Sequence, residues 1–162
     1  MASEQRGRNL VDFYVRTGRR RLAISYLACL AAAMDDPDRQ ARYHLAAEGL
    51  PEEEGNYPEA ATAYRRVLAL DPADRTVWYL AHNNLGYCLL QFGRYAEAEG
   101  FSRQAVQIAP GTYNVHKNLG LALAEQKEYL QGVESVIVAA RLEPRRGPSG
   151  TSISYSLPIL RC

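Results

Sequence analysis

The sequence predicts an all-α solenoid of about eight helices, folded as antiparallel pairs stacked side by side, and three observations carry that expectation. A set of residues recurs at a constant spacing of 34. Small residues stand at matching places in successive periods, where two helices must approach closely. Apolar residues between them fall three and four apart, the period of a helix with one buried face.

The recurrence is explicit. Asn84-Leu85-Gly86 returns as Asn118-Leu119-Gly120, Tyr95 as Tyr129, Ala105 as Ala139 and Pro110 as Pro144, each offset by 34 residues. A repeat of this length is one helical hairpin, too small to bury its own apolar stripe, so successive hairpins stack on their neighbours and leave a concave inner face.

Four units follow in order within residues 1–146. The first, residues 4–37, carries Leu10, Tyr14, Gly18, Ala23 and Leu27 at repeat positions, and its most apolar stretch, residues 22–34, is 13 long. That is too short for a membrane span and right for a buried helix. The second unit, residues 38–72, holds Leu45 and Ala46 in its first helix. Gly49 and Pro51 end that helix early and open a loop through Glu52, Glu53 and Glu54, after which Gly55, Tyr57, Ala60, Tyr64, Leu70 and Pro72 mark the second helix.

In the third unit, residues 73–112, Pro72 to Pro110 spans 38 residues, four more than the period. The excess is about one helical turn near Arg75 to Trp78, so this unit starts with a longer helix. The fourth, residues 113–146, repeats Leu119, Gly120, Leu123, Ala139 and Pro144. After it, Arg145-Arg146-Gly147-Pro148-Ser149-Gly150 reads as a linker, and residues 147–162 form an irregular tail in which Pro158 disfavours a helix. No polar capping helix follows, although a solenoid needs its last apolar face covered. The tail, further repeats or a partner would each serve.

A period with Leu-Gly in its first helix, Ala and an aromatic in its second and a closing Pro resembles the tetratricopeptide repeat. The match is nearly complete in residues 79–112, with Leu85, Gly86, Gly93, Ala98, Ala105 and Pro110. Residues 113–146 depart from it by placing Lys127 at the turn and Gly132 where Ala is usual. The resemblance covers roughly residues 4–146 and implies a module that binds a protein or peptide in its groove, with no catalysis and no cofactor of its own.

Composition agrees with that expectation. With 19 Lys and Arg against 18 Asp and Glu, no global field draws the chain to nucleic acid or an anionic membrane. Cys29, Cys88 and Cys162 are odd in number and widely spaced, which suits a reducing cytoplasm better than a disulfide framework or a zinc site. The first ten residues are polar where a signal peptide needs an apolar run. His82 and His116 are 34 apart and occupy equivalent seam positions, and no Ser, Cys or carboxylate pair forms a catalytic constellation. Arg19 to Arg21 and Glu52 to Glu54 read as solvated helix ends and loops.

The resemblance also says which positions line the groove. They are Leu80, Asn83, Asn84, Tyr87, Leu90 and Gln91 in the third unit, and Asn114, Lys117, Asn118, Leu121, Ala124 and Glu125 in the fourth. The second offers Tyr43 and His44, and the first Arg8, Asn9, Asp12 and Arg16. One position holds Asn9, Asn84 and Asn118 in three units and His44 in the other. An asparagine amide both donates and accepts, so a row of them can pair with the backbone of an extended peptide without reading its sequence. The row is similar to the asparagine ladder in the tetratricopeptide arm of O-linked N-acetylglucosamine transferase, with Tyr87, Lys117 and Leu80 supplying side-chain preference. The family's clamp for acidic chaperone tails is not matched, because Tyr43 and Ala47, or Asn83 and Tyr87, stand where its first Lys and Asn belong, and Leu80 or Asn114 stands at a required cation. Two other roles fit the pattern: the targeting arm of a larger enzyme, and a homo-oligomer stacked through the uncapped fourth unit.

Overall fold

The computed structural model describes residues 2–48 and 56–142, and eight helices account for nearly all of them. They are α1 (Ala2–Arg16), α2 (Arg20–Ala32), α3 (Pro37–Glu48), α4 (Tyr57–Ala69), α5 (Arg75–Gln91), α6 (Tyr95–Ile108), α7 (Tyr113–Glu125) and α8 (Tyr129–Leu142). Each odd-numbered helix pairs with the next, and α5 packs against both α3 and α7, so the odd-numbered helices form the inner layer. At 17 residues α5 is the longest, which is where the extra turn was expected. The acidic loop of the second unit and the tail lie outside the described residues.

Three of the hairpins turn in the same way. Gly18, Gly93 and Lys127 have φ of 72°, 80° and 67°. In each turn that residue's N–H donates three residues back and the next N–H five residues back, to Val15 and Tyr14, to Leu90 and Leu89, and to Ala124 and Leu123. This double bond pattern caps the carbonyls of the finished helix and requires a left-handed residue between helices. Glycine enters that region freely, whereas a side chain there costs about 1 kcal/mol or more. The substitution of Lys127 for glycine therefore keeps the turn at a cost in stability.

Close approach across a hairpin rests on the small residues. A Cβ added to Gly86 would stand 2.9 Å from the Ser102 hydroxyl and 3.4 Å from the Ala98 carbonyl. At Gly120 it would meet Val136 at 2.6 Å and the Gly132 carbonyl at 3.0 Å. Gly132 in turn sits 3.1 Å, by the same measure, from the Gly120 carbonyl, so the fourth hairpin is closed by a pair of glycines in place of glycine and alanine. Around these contacts one core joins Leu45, Tyr64, Val67, Val77, Leu85, Cys88 and Leu89, and a smaller one joins Val11, Ala23, Leu27, Ala46 and Ala47. Each large apolar side chain buried there contributes about 1.5–3 kcal/mol.

Polar contacts fix the second hairpin against the third and the third against the fourth. Asp38 of α3 accepts from the backbone N–H of Ala73 at 2.7 Å, and Arg42 donates to Asp74 at 2.6 Å. Asp74 caps α5 by accepting from the Thr76 N–H. Burial opposes its charge, but the Thr76 N–H and the Arg42 guanidinium outweigh that and hold the carboxyl below the usual range. On the outer layer, Arg65 of α4 donates to Glu97 of α6 at 2.9 Å, and Arg103 of α6 donates to Gln131 of α8 at 3.1 Å. Gln126 reaches back to Glu99 at 2.8 Å.

His82 belongs to the seam, as its repeat position implies. It is buried, its Nδ1–H donates to the Trp78 carbonyl at 2.8 Å, and its ring stacks on Trp78 with centroids 4.7 Å apart. Phe101 closes the other side, and Arg65 lies over that ring. Burial pushes the His82 pKa down, only partly offset by the bond to Trp78. His116 bonds the Pro110 carbonyl at 2.7 Å. No group of three His, Cys, Asp or Glu among the described residues is placed to hold a metal ion.

Replacing Lys127 with Gly should raise the free energy of unfolding by about 1 kcal/mol, read from urea melts, since the left-handed turn then carries no Cβ. An unchanged or lower midpoint would refute the strain. A lowered histidine pKa means the unfolded chain binds the extra proton first, so stability falls as pH drops through the ordinary histidine range and levels off below the folded value. His82→Phe should flatten that slope as pH falls below the ordinary histidine range, leaving the part due to His44. An identical slope would show that His82 is not held neutral.

Candidate peptide-binding groove

The inner layer brings three of the expected asparagines into one chain of bonds. Asn118 of α7 donates its amide to the Asn83 side-chain oxygen at 3.1 Å, and lies 3.4 Å from the Asn83 backbone carbonyl. Asn83 donates to Asn84 at 3.0 Å, and Asn84 donates to the Tyr64 hydroxyl of α4 at 3.2 Å. Asn118 and Asn83 are buried, while Asn84 keeps part of its surface in solvent. The row thus runs from α7 through α5 to α4, and its members are bonded to each other before any ligand arrives.

The neighbouring candidates border this chain. Leu80 is half-buried against the core, and Tyr87 meets the edge of Tyr57 with ring centroids 5.9 Å apart. Lys117 lies over the Tyr113 ring at 5.6 Å, which holds its ammonium beside α7. Asn114 is half-buried and Leu121 is exposed. The face therefore combines amides, two tyrosines, a cation and an aliphatic patch, the mixture that suits a peptide with both backbone and side chains to engage.

Two candidates stand apart from it. Asn9 is exposed on α1, in the first hairpin. His44 lines a recess whose other walls, Ala28, Ala63, Arg66 and Leu70, come from α2 and α4. Burial, and then the Arg66 charge, lower its pKa. Its sequence register was carried across the irregular loop of the second unit, where the spacing is two residues longer than the pattern.

Tyr64 and Tyr57 are the site residues that spacing did not single out. Tyr64 reads as an ordinary core position and is fully buried, yet its hydroxyl anchors the amide chain. The available signal was chemical, because a buried tyrosine hydroxyl needs a polar partner.

A family model described as tetratricopeptide repeat matches residues 52–113. Among curated proteins, the BBSome complex member BBS4 of Mus musculus is 27% identical over 103 residues, 64% of this chain and 19% of that protein. The E3 ubiquitin-protein ligase CHIP of Arabidopsis thaliana is 30% identical over 91 residues, 56% of this chain and 31% of that protein. The chain thus matches only a fifth to a third of the length of these curated relatives. Among solved structures, MamA from Desulfovibrio magneticus superposes with a TM-score of 0.72 at 25% identity, covering 88% of this chain and 77% of that one. The second TPR of Spaghetti (RPAP3), solved with an HSP90 peptide, gives 0.60 at 23% identity, covering 66% and 90%. The 34-residue period, the paired helices and these matches agree: residues 52–113 match the tetratricopeptide repeat, and the eight described helices have the fold of the tetratricopeptide solenoids the chain is similar to.

Proposed function

We propose that this chain is an adaptor that grips an extended segment of a partner protein along the inner face of α5 and α7. Solenoids of this family are protein-interaction modules, and the finer reading rests on one observation. The Asn118, Asn83 and Asn84 amides are fixed in a single bonded chain, with Asn84 partly open to solvent and Leu80, Tyr87, Asn114, Lys117 and Leu121 around it. Amides already held in place lose little freedom when a peptide binds, so the groove is pre-organised for a backbone.

The preferred segment is extended and carries few charges. One cation, Lys117, faces the α5 and α7 side, and the acidic-tail clamp is not reproduced at Asn83, Tyr87, Leu80 and Asn114. A peptide rather than nucleic acid suits this balance, because phosphate tracks call for a basic groove. Cys29 and Cys88 are free thiols, in keeping with a cytoplasmic setting. No helix among the described residues is long and apolar enough to cross a membrane. The second reading, the targeting arm of a larger enzyme, draws on the relative named as an E3 ubiquitin-protein ligase, of which the matched region is 31%.

The test is to capture partners with the full chain, tile them as short peptides and measure affinity by fluorescence anisotropy. Tyr87→Ala combined with Lys117→Ala should weaken the mapped segment at least about tenfold while leaving the fold intact. Equal affinity for the double variant would remove the groove as the binding site.

A further inference from the structure

One space between the helices is filled in the third hairpin and left open in the second. Measured by the closing prolines, Pro72 and Pro110, the second unit matches the third at an offset of 38, which pairs His44 with His82 and Ala63 with Phe101. The helix starts keep the same offset: Asp36 accepts from the Asp38 N–H at 3.0 Å, as Asp74 accepts from the Thr76 N–H at 2.8 Å. Each histidine stands on an inner helix and faces the outer helices on either side, His82 between α4 and α6 and His44 between α2 and α4.

Around His82 that space is occupied. The Phe101 ring lies 5.8 Å from the imidazole, centroid to centroid, and the Arg65 guanidinium stands 5.4 Å from the centre of the same ring. Around His44 the ring is missing, because alanine stands at Ala63 where the third unit has Phe101, and Ala28 forms the other short wall. A recess of about 230 Å³ remains, with His44 and Arg66 in its lining. A cavity of about 150 Å³ already accepts benzene, so a phenyl or phenol ring fits this one.

We propose that the recess docks an aromatic side chain of a partner protein, seated between His44 and Arg66 as Phe101 is seated between His82 and Arg65. Its walls select for a ring. Ala28, Ala63 and Leu70 offer apolar contact, and the Arg66 guanidinium is attracted to a ring face. Burial and the Arg66 charge keep the His44 imidazole neutral, the form that stacks without a charge to desolvate. A carboxylate would pair with Arg66 but fill none of the apolar volume, and an aliphatic chain would fill the volume but forgo the cation. Arg66 belongs to the second helix of its own hairpin, whereas Arg65 reaches the third hairpin from the preceding one, so the cation approaches from the opposite wall. The recess lies between α2 and α4, away from α5 and α7, and is a second point of contact rather than part of the groove. Single aromatic anchors of this kind carry much of the binding energy of protein interfaces.

The full chain can be titrated with N-acetylphenylalanine amide, with N-acetylleucine amide as the aliphatic control, while NMR follows the His44 imidazole and the Ala63 methyl. The phenylalanine probe should shift both signals saturably, with the millimolar affinity of a fragment, and bind about threefold or more tighter than the leucine probe. Arg66→Gln, a change at an exposed side chain, should weaken it about threefold. Ala63→Phe fills the recess from within and should weaken it at least about tenfold. Arg66→Gln decides the question by itself if Ala63→Phe disturbs the fold. No saturable shift at His44, equal affinity for the two probes, or unchanged binding by Arg66→Gln would overturn the proposal. So would binding that is lost in the Tyr87→Ala, Lys117→Ala double variant, which would place the ring in the groove of α5 and α7.

Discussion

The contact between α5 and α7, through the buried amides of Asn83 and Asn118, holds the inner layer in register. Neither amide can be left unpaired away from water without a cost of about 1–3 kcal/mol. Both are satisfied only when α7 sits at one height and one rotation against α5. Apolar packing alone tolerates a slide of a fraction of a turn, whereas a directional bond between two buried groups does not. The glycines bring each helix pair close, and the amides then set how one pair lies on the next.

From that register the groove follows. Asn84 is one residue past Asn83 on α5, so its amide turns to the Tyr64 hydroxyl and remains partly open to solvent. Tyr87 reaches Tyr57 across the α4 side, and Lys117 rides on Tyr113 along α7. The amides have two roles divided by burial. Asn83 and Asn118 hold the helices, and Asn84 keeps part of its surface in solvent, as the proposed binding role requires. The polar rungs of the outer layer are exposed and contribute little each, and they join the same successive hairpins on the face opposite the inner amides.

Much of this was legible in the sequence because a period exposes the equivalence of distant residues. The spacing of Leu85 and Gly86 from Leu119 and Gly120 gives the helix pairs, the excess between Pro72 and Pro110 gives the long α5, and the seam position gives His82 its burial. Lys127 was visible as an irregularity, and its positive φ explains what the irregularity costs. Partners were less legible than positions. That Asn118 turns to Asn83 rather than to open solvent depends on the rotation between two helices, which no single repeat encodes. His44 faces a recess walled by Ala28, Ala63, Arg66 and Leu70, and that placement depends on how α2 and α4 pack on α3. The arginine rungs were present as offsets of 38 and 34, but they mean something only once α4, α6 and α8 are known to lie side by side.

A double-mutant cycle on Asn83 and Asn118, each replaced by alanine singly and together, measures the registering contact directly through urea unfolding. If the two amides hold α5 and α7 in place, their coupling energy should fall within about 0.5–3 kcal/mol. A value near zero, with the single losses simply adding, would mean that apolar packing alone sets the stack and that the amide chain is incidental.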